Sequence, residues 1–78
     1  MFIETKLIDE GGRKFDSFIN PEDIAAVMTD PSAPDKRCVI MMTQGDQMSV
    51  AQGAMAFMER LEACDVKVNY LPRLKPVS

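Results

Sequence analysis

Few side chains in this sequence could do covalent or acid-base chemistry. There are two cysteines, Cys38 and Cys64, and no histidine. Without histidine the commonest general base is missing, and no Ser-His or Cys-His nucleophile can be assembled. The two thiols lack the Cys-x-x-Cys spacing and the imidazole partners of a zinc site. Cys64 falls at the end of a helical pattern, where the dipole raises a thiol pKa and blunts its reactivity. Glu22 and Asp23 are adjacent carboxylates, explained by a helix start and by solvent. Gly11, Gly12 and Gly45 sit in turn contexts and form no phosphate-binding glycine loop. The chain therefore reads as a non-enzyme with no cofactor and no metal. Parity alone allows a Cys38–Cys64 bridge. No signal-peptide pattern opens the chain, and the favoured expectation is two half-buried thiols in a cytoplasmic protein.

The elements that carry these residues are short. Ile3, Thr5 and Leu7 alternate with Glu4 and Lys6, which predicts a half-buried strand over 1–9. Glu10-Gly11-Gly12 is a tight turn. Phe15, Ser17 and Ile19 then alternate with Lys14, Asp16 and Phe18 over 13–19. Asn20-Pro21-Glu22-Asp23 has the cap, the proline and the acids of a helix start, with room for a single turn. A strand from Ala25 to Thr29 follows, then a loop at 30–36 containing Pro31 and Pro34. Arg37 to Thr43 is the most β-like segment, with Cys38, Ile40 and Met42 on one face and Val39 and Met41 on the other. Apolar residues on both faces imply a central strand, or one whose second face meets another subunit.

A turn at 44–46, a strand through Met48 and Val50, and a helix from about Gln52 to Ala63 complete the middle of the chain. Ala54, Phe57, Met58 and Leu61 make the apolar stripe of that helix, with Glu59, Arg60 and Glu62 toward water. Val66 to Tyr70 alternates again as a final strand. Residues 1–71 thus form one domain, with 72–78 an extended or disordered tail. The fold class is mainly β (α+β), with five or six strands and one late helix. The expected form is a strongly bent antiparallel sheet or a small Sm-like or SH3-like barrel.

Two stretches resemble a known family. Phe18-Ile19-Asn20-Pro21-Glu22-Asp23-Ile24-Ala25-Ala26-Val27 is similar to the aliphatic-Asn-Pro-acidic signature of the small flagellar FlbD/SwrD-type proteins. Val39-Ile40-Met41-Met42-Thr43-Gln44-Gly45, with Val50 and the helix to Leu61, resembles the second half of that pattern. The match covers roughly residues 1–61. The loop at 30–36 is longer than the pattern, and 66–78 has no counterpart. The resemblance implies a small barrel-like fold and, as one alternative, a flagellar accessory role.

A chain of 78 residues hides only about 60% of its unfolded surface, so association with copies of itself is the expected route to further burial. The apolar run is too short for a membrane span. The formal charge is −3, which opposes general nucleic-acid binding. Residues 66–78 nevertheless carry Lys67, Arg73 and Lys75 and no acid. These cations, with Tyr70 nearby, define an alternative in which an Sm-like ring binds RNA. The leading expectation is a homo-oligomeric protein-interaction module. Its predicted surface is the outer face of Val39 and Met41, the edge strand with Val66, Val68 and Tyr70, and Met55 beside them. Met41 and Met55 are the best of seven methionines for an adaptable contact; the others serve as core filling.

Overall fold

The computed structural model describes residues 2–71. Six strands run in chain order: β1 (Ile3–Ile8), β2 (Lys14–Ile19), β3 (Ile24–Thr29), β4 (Cys38–Met42), β5 (Gln47–Val50) and β6 (Asn69–Leu71). A single helix, α1 (Ala54–Ala63), precedes β6. The strands form one sheet in the order β2-β1-β5-β4-β3-β6. The mainly-β α+β class, with six strands and one late helix, is the class that the periodicities indicate.

Each turn follows from its residues. Gly12 takes φ +83° and lets β1 reverse into β2, a conformation that side chains with a Cβ resist. Asn20 caps a single 3-10 turn at Pro21–Asp23, its Oδ1 accepting from the Glu22 N–H at 3.1 Å. In the loop after β3, Asp30 Oδ1 accepts from both the Ser32 N–H (2.9 Å) and the Ser32 hydroxyl (2.6 Å). These bonds, side chain first, hold the Asp30 carboxyl below its usual pKa. The loop then presses on the start of α1. A Cβ at Gly53 would stand 2.9 Å from the Asp35 carbonyl oxygen and 3.1 Å from that of Pro34. Glycine is required there for space.

The core lies between α1 and the sheet. Leu7, Ile19, Ile24, Val27, Cys38, Ile40 and Val50 meet Ala54, Phe57 and Leu61, all buried. Ile3, Met42, Met48, Met58 and Val68 pack around them.

Two finer features differ from the sequence reading. β6 pairs with β3 in parallel, Ala26 to Asn69 through Met28 to Leu71, so the sheet is mixed. The helix carries the chain back before β6 begins, which is the crossover that parallel strands need. The sheet is also open: among the described residues nothing pairs with the outer rims of β2 or β6. The barrel does not close because its terminal strands, β2 and β6, do not pair with each other. The sheet is narrowest between β1 and β5, which share two residue pairs, Leu7 with Val50 and Ile8 with Ser49, while β1 and β2 share six. Beyond that short ladder, β5 leaves the sheet for the helix. Arg60 takes the place of the missing strand, its Nη2 donating to the Glu4 carbonyl and its Nη1 to Gln52 Oε1 at 3.1 Å. The guanidinium also lies 5.9 Å from the centre of the Phe57 ring. Arg60, read as a solvent-facing residue, is therefore a tie between α1 and β1.

The cysteines differ as well. Both are free thiols. Cys38 is wholly buried rather than half-buried, and desolvation, followed by the negative charge of Asp30, pushes its pKa up to about 12. Cys64 is half-buried. No described helix is long and apolar enough to cross a membrane.

Candidate interaction surface

The residues singled out from the sequence fall in three places. Val39 and Met41 lie on the sheet face away from α1, half-buried. Their registered neighbours on β3 are Met28 and Ala26, which are buried yet stand outside the main core. Leu71 of β6, registered with Met28, is 43% exposed. This gives a short apolar strip on the second face of β4, β3 and β6.

The final strand, expected over Val66 to Tyr70, is Asn69–Leu71, because the Val66 N–H is taken by the Leu61 carbonyl at the end of α1. Val66 and Val68 precede β6 and are half-buried, with Val68 packed against the core. Tyr70 lies on the helix side, registered with Val27. Its hydroxyl is 3.0 Å from the Thr29 hydroxyl, a hydrogen bond that holds β6 to β3. Met55 is exposed on α1 and shares a cleft of about 410 Å³ with Thr29, Pro34, Asp35, Gly53 and Tyr70. The structure thus groups Tyr70 with Met55 on one side of the sheet, and Val39 with Met41 on the other. They do not form one continuous patch.

Of the cations, Lys67 is exposed, while Arg73, Lys75 and the predicted tail at 72–78 lie outside the described residues. Tyr70 has its hydroxyl engaged by Thr29. The described part of this segment therefore offers one cation.

A further surface escaped the sequence reading. Phe18 is 67% exposed and Phe15 48% exposed, both on β2, the strand at one rim of the sheet. Phe2 is exposed too. Register places Phe2 and Phe18 on the outer face, where Glu4 opposes Phe18 and Lys6 opposes Asp16. The Lys6 ammonium and the Asp16 carboxylate are 2.8 Å apart, and this bond raises the Lys6 pKa. The signal was present in the sequence: β2 carries phenylalanine at positions of opposite parity, the same two-faced pattern that marked β4. Phe15 alternates with the inward set, but the core ends before it reaches the hairpin tip.

No family model matches the chain, and no curated protein or solved structure matches it either.

Proposed function

We propose that this chain is a non-enzymatic module of the cytoplasm that binds polypeptide, copies of itself first, through the rims and second face of its sheet. One observation carries the reading. Both rim strands have no partner on their outer side among the described residues, and Phe15, Phe18, Tyr70 and Leu71 are exposed on them. An open rim presents N–H and C=O groups that readily accept a further strand. The exposed rings and aliphatic groups beside it supply apolar area to the same contact.

The test is sedimentation equilibrium of the full chain from tens to hundreds of micromolar. A weight-average mass that climbs above the 8.7 kDa of one chain supports the reading. A mass fixed at that value across the range refutes self-association. The resemblance to FlbD/SwrD-type proteins proposes flagellar assembly as the setting. Flagellar genes beside the coding sequence would support that setting; phage structural genes in their place would replace it.

A further inference from the structure

The rim of β2 has a pattern that specifies its own partner. Asp9 donates its backbone N–H to the Arg13 carbonyl, which fixes the phase of the β1–β2 ladder. In antiparallel pairing the bonded pairs alternate, so Arg13, Phe15, Ser17 and Ile19 turn their backbone groups toward β1. Lys14, Asp16 and Phe18 then turn theirs outward. The other side of β1 has the matching phase, since Ala51 donates to the Lys6 carbonyl. The outward-turned residues also carry exposed side chains.

We infer that a second copy of this chain docks on this rim, β2 against β2 in antiparallel fashion about a two-fold axis centred on Phe15. The inference rests on the self-association reading above and names its surface and register. A two-fold axis perpendicular to the sheet keeps both helices on the same side. It allows three centres within the middle of the strand: Phe15, Asp16 and Ser17. Centring on Asp16 sets two carboxylates directly opposite each other, which is repulsive. Centring on Ser17 sets each Asp16 opposite an apolar Phe18 and moves Lys14 past the end of the strand.

Centring on Phe15 sets Lys14 opposite Asp16 of the second copy, twice by symmetry. Asp16 then lies between Lys6 of its own β1 and Lys14 of the second copy. The outward N–H and C=O groups of Lys14 and Asp16 close four backbone hydrogen bonds. Phe15 meets Phe15 of the second copy at a non-hydrogen-bonded position, where strands approach most closely, and covers a ring that the core leaves half in water. Of the three registers, this one alone pairs the opposite charges; the Ser17-centred register would also cover Phe15, against Ile19 of the second copy, but leaves Asp16 without a cation from that copy. Its product is a continuous sheet of twice six strands.

The test combines oxidative cross-linking with sedimentation, using full-length chain in a Cys64→Ser background so that buried Cys38 is the only native thiol. A close antiparallel pair fits disulfide geometry. Phe15→Cys is therefore expected to form a covalent dimer rapidly under copper-phenanthroline, and Ser17→Cys is expected to stay monomeric. Lys14→Asp or Asp16→Lys alone should weaken dimerisation about tenfold, since each turns two attractive contacts repulsive. The double exchange, made together with Lys6→Asp so that the ion pair within each hairpin is kept, should restore it. Circular dichroism reports that each variant is folded. If wild-type chain dimerises but Ser17→Cys cross-links in preference to Phe15→Cys, the Phe15-centred register is overturned while self-association stands. The register falls in the same way if neither variant cross-links, or if the double exchange fails to rescue. If wild-type chain remains a monomer at hundreds of micromolar, both readings fall together.

Discussion

Cys38 shows how completely one side chain can be taken out of chemistry by its surroundings. It is fully buried at the start of β4, an interior strand of the sheet, with its pKa raised to about 12. An unfolded thiol ionises near pH 8.5. Below that pH both states hold the proton, and the site adds no pH dependence. Above it the unfolded chain releases the proton while the folded chain keeps it, so stability falls as pH rises from roughly 8.5 toward 12. The slope for one proton is at most about 1.4 kcal/mol per pH unit. Cys38→Val, of similar volume, is expected to flatten the difference between urea midpoints measured at pH 8 and pH 10. In native buffer Cys38 is expected to react with a maleimide only as the chain unfolds, with half-buried Cys64 reacting first. An equal rate at both thiols would contradict the burial of Cys38.

At the scale of elements, two residues join pieces distant in sequence. Gly53 occupies the cap of α1, where serine is ordinarily superior because its hydroxyl serves the free N–H groups. Here the loop carbonyls of Asp35 and Pro34 stand where a Cβ would go. Both are backbone atoms and yield poorly. Gly53→Ser is expected to cost about 1–3 kcal/mol despite the better cap, read as a lowered denaturation midpoint; a stabilised variant would show that the loop gives way. Arg60 joins α1 to β1 through one nitrogen on Glu4 and to the turn before α1 through the other, on Gln52. Arg60→Ala is expected to destabilise by about 1–3 kcal/mol, because the Glu4 carbonyl loses its charged donor. Arg60→Lys should recover less than half of that loss, since a single ammonium cannot span both acceptors. Full recovery by lysine would reduce the tie to simple charge.

The first five strands, the Asn20 cap and the buried stripe of α1 were legible because alternation and capping are local. Ile3, Thr5 and Leu7 declare a strand face without reference to any other segment. Neighbour relations were not legible. Nothing in Asn69-Tyr70-Leu71 states that it lies parallel to β3. Nor does the alternation of Phe15 reveal that the core stops short of it. Arg60 looked like a surface charge because its acceptor is a backbone carbonyl 56 positions away. The same blindness hid the β2 rim: two-faced apolar character can be read from sequence, but whether a strand is central or marginal is decided only by the assembled sheet. The interaction residues expected from the sequence, Val39, Met41, Met55, Val66, Val68 and Tyr70, all keep some exposure, yet Val39 and Met41 lie on the opposite side of the sheet from Met55 and Tyr70.

For the molecule as a whole, the junction between β1 and β5 is the narrowest in the sheet, two rungs between a six-rung hairpin and the β3–β4–β5 meander. Cooperative units in a protein part where few bonds hold them. The hairpin is expected to detach as a flap well before the meander loosens. In native-state deuterium exchange the Ala51 amide, bonded to Lys6 across that junction, should therefore gain label sooner than the amides of Val27 and Ile40, whose protection reports global unfolding. Equal protection at all three would mean that the sheet opens as one piece. A flap with its own apolar face can also trade places with its twin on a neighbouring chain. Prolonged storage at high concentration should then yield an exchanged dimer that separates slowly on dilution, at the pace of the flap's release.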